Sequence, residues 1–378
     1  MTVGNLRNAQ LVIDLNALYS NIKNAKDRLE NGTELFQVVK ADGYGHGAVQ
    51  VARTAEKAGA TGFCVAILDE ALELRHAGLT QPILVLGITD PEVAVIAAQN
   101  NISLTVGSTD WIEKAAHLLK AADHQSVLKI HLALDTGMGR IGFQTPDELK
   151  EALSLLKVNS DVLLFEGIFT HFATADSPDD DYFKFQYQNF KDFMSVVDKR
   201  PRYVHVANSA TSLWHQVCDG NMIRYGISAY GLNPSGREIT KLPYALQPAL
   251  SLTTELTFSK LVKKGRSIGY GATYTADSDQ WIGTIPVGYA DGIPRAMQGF
   301  SVLVDGNFCP IVGRVCMDQL MIRLPKRYEY GTQVTIIGKS GSASISADDV
   351  ADYLHTISYE VICGFSSRLR RKICMIFY

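Results

Sequence analysis

The 378-residue chain carries almost no excess of one charge, with 36 Lys and Arg against 39 Asp and Glu, a formal net charge of −3. So even a balance gives no electrostatic footprint for nucleic acid and no polybasic face for acidic lipid. Long apolar runs are missing too. The longest uncharged stretch, Val93 to Thr109, is interrupted by Gln99, Asn100, Asn101 and Gly107, so no membrane span is expected. The first ten residues, MTVGNLRNAQ, lack the basic start and apolar stretch of a signal peptide. The six cysteines, Cys64, Cys218, Cys309, Cys316, Cys363 and Cys374, form no C-x-x-C pair, which argues against a disulfide framework and against a zinc site. Reduced thiols in a cytoplasmic protein that binds no metal are the expectation.

What is present is material for a large core: 46% of residues are hydrophobic and 20% charged. From about Thr33 a short apolar run followed by an amphipathic stretch recurs. The runs are Leu35–Val39, Gly62–Leu68, Pro82–Gly87, Ile102–Gly107, Val127–Leu134, Val162–Thr170, Tyr203–Ala207 and Met222–Tyr225. Their continuous Val, Ile and Leu content suits parallel strands buried on both faces. Helix signals lie between them: acidic Asp69 leading to Gly78, the stretch Ser108–Lys120 with Trp111, Ala115 and Leu118 at helical spacing, and Thr145-Pro146 opening another. Eight such units predict an α/β fold, a (β/α)8 barrel. An open doubly wound sheet would need a G-x-G-x-x-G turn after its first strand; Gly43-Tyr-Gly-His-Gly47 lacks that spacing.

The texture changes after Gly231. A Pro/Gly-rich connection leads to strand signals at Leu252–Leu261, Trp281–Val287, Ser301–Val304, Ile311–Val315, Gln333–Ile337 and Ile373–Tyr378. Asp305-Gly306 reads as a hairpin turn, and Ser346 caps one expected helix, Ala347–Leu354. The expected domains are therefore a barrel over residues 1–243 and a mainly β domain over residues 244–378. A short strand, Gln10–Ile13, and a helix, Leu15–Leu29, precede the repeats.

Barrel enzymes carry their chemistry where strands end and βα loops begin. Those ends hold Lys40, Tyr44, Arg140, His171, Asn208, Ser209 and Arg224 to Gly226, a cationic and hydrogen-bonding ring suited to an anionic, phosphate-bearing ligand. Lys40 closes the apolar run Leu35–Val39. A lysine facing a desolvated mouth among cations is a nucleophilic amine fit for Schiff-base chemistry. A solvated lysine just past a strand end is commoner, so position alone leaves both readings open.

The stretch Val38-Val-Lys-Ala-Asp-Gly-Tyr-Gly-His-Gly47 resembles the pyridoxal-phosphate attachment motif of bacterial alanine racemases. Further segments resemble that family in the same order: Asp135-Thr-Gly-Met-Gly-Arg-Ile-Gly142, Gly167–Asp176, Ala207-Asn-Ser-Ala210, Arg224–Ile227, Ile268-Gly-Tyr-Gly-Ala-Thr-Tyr274, Gly288-Tyr-Ala-Asp-Gly292 and Gly313–Gln319. The resemblance covers nearly the whole chain. It implies a barrel plus a β-domain that the N-terminal strand joins, a head-to-tail homodimer with shared sites, and interconversion of L- and D-alanine for peptidoglycan.

By the same resemblance, Lys40 carries the cofactor covalently and acts as one acid/base, and Tyr270 of the other subunit is the second. Removing a proton from one face of Cα and returning one to the other calls for two bases. His171 tunes the tyrosine. Arg224 meets the pyridine nitrogen, where a permanent cation opposes ring protonation and favours simple proton return. Tyr44, Asn208, Ser209 and the amides of Gly226 and Ile227 hold the cofactor; Arg140 and the Met317 amide meet the substrate carboxylate, and Tyr289 guards the entrance. Two positions depart from the family. Ala133 stands where many members have a carbamylated lysine that holds the arginine, so Arg140, taken as buried, is expected to need another partner, an anion or a nearby polar side chain. Ser367 aligns with a phosphate-binding tyrosine. Serine or lysine racemisation, a non-catalytic pyridoxal-phosphate carrier and a fold-related decarboxylase are the alternatives; the β-domain motifs argue against the carrier and Arg224 against the decarboxylase.

Overall fold

The computed structural model describes residues 2–122, 126–215 and 218–375. The chain divides into two compact units, Leu18–Gln247 and a second made of the residues up to Ala17 together with Pro248 onward.

The first strand, β1 (Ala9–Asp14), belongs to the second unit. The first unit is built on β2 (Glu34–Val38), β3 (Gly62–Val65), β4 (Ile83–Ile88), β5 (Ile102–Val106), β6 (Leu128–Ala133), β7 (Leu163–Phe169), β8 (Tyr203–His205) and β9 (Met222–Tyr225). All pair in parallel, in the order β8-β7-β6-β5-β4-β3-β2-β9. Between β8 and β9 an isolated parallel bridge, Ala207 to Ile223, closes the ring, with Asn221 N–H donating to the Val204 carbonyl at 2.9 Å and Arg224 N–H to the Ala207 carbonyl at 2.9 Å. This is the (β/α)8 barrel that the repeated apolar runs predict. Every residue of β3, β5 and β9 is buried, as strands covered on both faces require.

Local chemistry sets the helix limits. Thr145 accepts from Glu148 N–H at 3.2 Å and Pro146 occupies the first position of Pro146–Val158. Helix Thr109–Ala121 buries Trp111, Ile112, Ala115, Ala116 and Leu119; Leu118, expected on the apolar face, sits at its margin.

The second unit has two main sheets. One runs β16-β15-β18-β10-β1-β20, with β19 (Ala343–Ile345) beside β18, and the other β11-β14-β17. The members are β10 (Leu250–Glu255), β11 (Phe258–Val262), β14 (Gln280–Ile285), β15 (Ser301–Val304), β16 (Asn307–Pro310), β17 (Leu320–Leu324), β18 (Gln333–Ser340) and β20 (Arg370–Cys374). The small pair β12 (Ser267–Ile268) and β13 (Tyr274–Thr275) completes the set. Asp305 and Gly306 both have positive φ (50° and 75°), making the two-residue turn that joins β15 to β16. Ser346 caps Ala347–Leu354 with a reciprocal pair of bonds to Asp349.

Several expected strands differ. Leu252–Leu261 is two strands in different sheets, because the chain changes partners at Leu256, which bonds to Thr332, and Thr257, which bonds to Thr284. Ile311–Val315 is not a strand: Gly313 has φ 68°, and a Cβ there would lie 2.6 Å from the Ile268 carbonyl. β17 was not anticipated. The last strand lies at Arg370–Cys374, parallel to β1, rather than at Ile373–Tyr378, of which residues 376–378 lie outside the described residues.

Candidate active site

Lys40 follows the C-terminal end of β2, half-buried, and the chain then enters a left-handed turn. Ala41, Asp42, Gly43 and Tyr44 have φ of 53°, 53°, 59° and 52° in succession. L-residues pay roughly 1–2 kcal/mol each for that conformation. Side chains hold it in place. Glu70 Oε1 accepts from Ala41 N–H at 2.6 Å, and Asp42 Oδ1 accepts from Ala48 N–H at 3.0 Å. The turn delivers the buried Tyr44 ring against Tyr230, centroids 4.7 Å apart, while Tyr230 Oη donates to the Val38 carbonyl at 2.7 Å.

Tyr44, Ser209 and Gly226 converge. A Cβ on Gly226 would lie 3.1 Å from Tyr44 Oη and 3.6 Å from Ser209 Oγ. Ser209 opens the helix Ser209–Trp214, capped by Asn208 through Thr211 N–H at 2.9 Å. Asn208 is thus a cap. Gly226 N–H, expected to face an anion, donates to Ser209 Oγ at 2.9 Å, and Ile227 begins the 3₁₀ turn Ile227–Tyr230. A hydroxyl that accepts from backbone keeps its own hydrogen for an anion.

Arg224 is 3% exposed, and no carboxylate among the described residues is hydrogen-bonded to it. Its Nη1 donates to His205 Nδ1 (2.6 Å) and the His205 carbonyl (2.8 Å). Its Nη2 donates to the Thr170 carbonyl (2.9 Å) and, longer, to His171 Nδ1 (3.4 Å). Burial pulls the guanidinium down to about 10, so it stays cationic at neutral pH. Burial first, then the cations Arg224, Arg140 and Lys40, push His171 well below the usual histidine range. Because its Nδ1 accepts from Arg224, neutral His171 carries its hydrogen on Nε2.

Arg140 and His171 sit on loops clamped by one helix, Asp181–Met194. Gln186 donates to Thr136 Oγ1 and the His171 carbonyl and accepts from Ala173 N–H; Asn189 donates to the Thr136 carbonyl. The loop itself folds on Asp135, whose Oδ1 accepts from Gly137 and Gly139 N–H. Arg140 is exposed and has no hydrogen bond or ion pair to a described residue. The expectation of a buried guanidinium needing a replacement partner therefore fails for the single chain, because the loop carries Arg140 outward. Ala133 is buried at the end of β6, its carbonyl accepting from Phe143 N–H at 2.9 Å.

The second unit brings together the other three expected residues. Tyr270 lies on a 3₁₀ turn flanked by Gly269 (φ 76°) and Gly271 (φ 73°); a Cβ on Gly271 would meet the Arg314 guanidinium at 3.2 Å. Tyr270 and Met317 line one groove. Tyr289 N–H donates to the Cys316 carbonyl and Ala290 N–H to the Met317 carbonyl, both at 3.0 Å, tying the Tyr289 turn to the Met317 loop. Tyr270, Met317 and Tyr289 are 70%, 52% and 43% exposed. Ser367 is exposed; its neighbour Arg368 reaches Asp318 at 2.8 Å and Asp291 at 3.5 Å.

Glu70, Tyr230, His205 and His131 escaped the sequence reading. The last two were signalled by a histidine inside each of the apolar runs of β6 and β8, on strands where nearly every neighbour is aliphatic.

Comparison with known proteins adds to this geometry. The family model for the alanine racemase N-terminal domain matches residues 13–234, and that for the alanine racemase C-terminal domain residues 249–373. The chain is 60% identical over 371 residues to the alanine racemase of Levilactobacillus brevis, covering 98% of this chain and 99% of that protein. It superposes on the crystal structure of alanine racemase from E. faecalis with a TM-score of 0.96 at 50% identity, covering 99% of this chain and 100% of the other. A histidine racemase from Leuconostoc mesenteroides gives a TM-score of 0.92 at 37% identity, covering 99% and 100%. Matched along both units by family models and full-length relatives alike, the chain belongs to the alanine racemase family and interconverts L- and D-alanine.

Proposed function

We propose that the barrel holds pyridoxal phosphate between Lys40 and the Tyr44–Ser209–Gly226 cradle, and that Lys40 and Tyr270 are the two bases of the racemisation. The observation that carries this is the space over Gly226, which a Cβ would fill against two hydroxyls. Tyr44, Ser209 and the Ile227 N–H would hold the phosphate, Asn208 fixing the helix start beside them, and Arg224 would face the ring nitrogen. When bound, the cofactor supplies an electron sink that makes the substrate Cα–H acidic.

The protein's residues do the rest. Lys40 Nζ gives or takes a proton on one face of Cα, and Tyr270 Oη does so on the other. A tyrosine is a weak base at its ordinary pKa of about 10. Neutral His171, with its hydrogen on Nε2, is suited to donate to the phenolate and favour that form. Arg140 and the Met317 N–H receive the substrate carboxylate, and Tyr289 narrows the approach. The exposed trio Tyr270, Tyr289 and Met317 supports a homodimer in which this face of one protomer completes its partner's barrel mouth. Such an enzyme works in the cytoplasm, supplying D-alanine for peptidoglycan.

Two experiments test this. Borohydride reduction followed by peptide mapping should find the pyridoxyl group on Lys40; another lysine would overturn the assignment. Mixing inactive Lys40→Ala and Tyr270→Phe chains under subunit exchange should restore activity to about a quarter of the sites, since half the dimers are mixed and each has one intact site. Flat activity across mixing ratios, with exchange verified, would rule out shared sites. A broader substrate range is the second reading, favoured by the similarity to a histidine racemase; exchange of Cα-deuterium from histidine, serine and lysine tests it.

A further inference from the structure

Behind Arg224 a line of polar side chains runs down the inside of the barrel. His205 Nε2 and His131 Nδ1 are 2.8 Å apart, and His131 Nε2 is 3.3 Å from Glu166 Oε2. Ser103 Oγ donates to the same Glu166 oxygen at 2.6 Å, and Lys129 Nζ stands 3.8 Å from Oε1. His131 and His205 are wholly buried, Glu166 is 4% exposed and Arg224 3%. None of these groups except Arg224 has a role in the chemistry proposed above.

The hydrogens in this line can be counted. Arg224 can only donate, so His205 Nδ1 accepts. A neutral His205 then carries its hydrogen on Nε2 and donates to His131 Nδ1. That leaves the His131 hydrogen on Nε2, directed at Glu166. Each bond points the same way, from a buried cation at the mouth to a buried anion deeper in. Burial pushes both imidazoles below the usual histidine range, and the bond from His131 helps hold Glu166, against its own burial, below the usual carboxylate range.

Two features of the backbone exist to make room for the line. β6 and β7 pair Ile130 with Phe165 and then His131 with Gly167, so Glu166 is the extra residue of a bulge that turns it inward. A Cβ on Gly167 would lie 2.3 Å from His131 Nδ1, so only glycine admits the ring. Aromatic faces fix the imidazoles: Phe169 stacks on His205 at 4.8 Å and Tyr203 on His131 at 5.6 Å.

We propose that His205, His131 and Glu166 are positioning residues for Arg224, a one-way hydrogen-bonded chain that compensates its buried charge from a distance and fixes the guanidinium at the barrel mouth. A carboxylate bonded directly to Arg224 would compensate the charge equally well, but it would also put an anion beside the group that Arg224 faces. Two intervening imidazoles keep the cationic end cationic. This rests on the reading that Arg224 meets the cofactor's ring nitrogen.

Side-chain nitrogen NMR of the histidine-labelled holoenzyme, with signals assigned through His131→Gln and His205→Gln, reads the chain without reference to activity. The groups that face the two rings are Arg224, Glu166, Lys129 and Tyr203, and none is altered in this measurement. Both rings should be neutral with hydrogen on Nε2. A charged ring, or hydrogen on Nδ1 in either, overturns the proposal. Glu166→Gln, which keeps the shape and removes the anion, should bring up a second tautomer at His131, shift the absorption maximum of the bound cofactor, and lower kcat about tenfold with KM little changed. Ser103→Ala, a milder change, should move the same signals in the same direction should Glu166→Gln fail to fold. Arg224→Leu separates the two layers. If it shifts the absorption and the Glu166 and Ser103 variants leave tautomers, absorption and kcat at wild-type values, the chain has no positioning role. If no variant shifts the absorption, Arg224 does not meet the cofactor, and the positioning role falls with that reading.

Discussion

The Arg7 guanidinium and the Asp291 carboxylate meet across 284 positions of sequence, Nη1 donating to Oδ2 at 3.0 Å while Nη2 pairs with Oδ1. Asp291 is wholly buried, and its Oδ2 also accepts from Gly288 N–H at 3.1 Å, at the base of the turn that bears Tyr289. Removing one partner of a buried pair costs about 3–5 kcal/mol. Arg368 remains near Asp291, so Arg7→Ala should destabilise the second unit by about 2 kcal/mol. With Trp111 and Trp214 replaced by Phe, Trp281 fluorescence reports that unit in urea. An unchanged midpoint would mean the pair contributes nothing.

At Gly226 an alanine would find no apolar pocket for its methyl, the nearest side-chain atoms being the Tyr44 and Ser209 hydroxyl oxygens. The methyl would occupy the space 3.1 Å from Tyr44 Oη. Gly226→Ala should therefore weaken pyridoxal-phosphate binding by about tenfold or more. Wild-type affinity would refute the cradle.

Ala41 offers the opposite case. It is exposed, with φ 53° and ψ 52°, so an L-residue there is strained. Ala41→Gly should stabilise the barrel by about 1 kcal/mol, where the same change in ordinary backbone destabilises. A fall in urea midpoint would show that the turn is not under strain.

Acid should weaken the barrel before it reaches carboxylate range. His131, His205 and His171 all lie below 6.5 in the folded protein, chiefly through burial. Below that value the unfolded chain binds protons that the folded one refuses, so stability is full above about pH 6.5 and declines as pH falls. Glu166, lowered from 4.5, adds a second loss as pH falls through the carboxylate range. With Trp281→Phe leaving Trp111 and Trp214 as barrel reporters, the urea midpoint should drop between about pH 7.5 and pH 5.5. A flat profile would contradict the burial of neutral imidazoles.

The barrel was legible because its strands are buried on both faces, and continuous runs such as Ile102–Val106 have no other economical reading. The second unit was less so. Leu256 and Thr257 continue one strand-like stretch, Leu252–Leu261, while the backbone changes sheet, a switch dictated by partners distant in sequence. Strand-end position and motif marked Lys40, Tyr44, Ser209 and Arg224. Glu70 was invisible because its work is done by a side chain 29 positions from the Ala41 amide it holds. The His131–Glu166 bond depends on a bulge, and one extra residue in a strand leaves no mark in hydrophobic period.

The place of β1 within its sheet sets a timetable for synthesis. It lies between β10 and β20, antiparallel to one and parallel to the other. During synthesis β1 therefore has no neighbour until Leu250 follows, and at roughly 5–20 residues per second that takes about 10–50 s. The barrel residues are all made in that interval, so topologically the barrel is an insertion into the β unit rather than a domain before it. A fragment starting at Pro248 would lack the strand that β10 and β20 share. Cutting the protein at the boundary suggested by the linear order would leave an open slot in one sheet and a stray apolar strand on the other piece. A circular permutant that begins at Leu18 and joins the old termini through a linker makes each unit continuous in sequence.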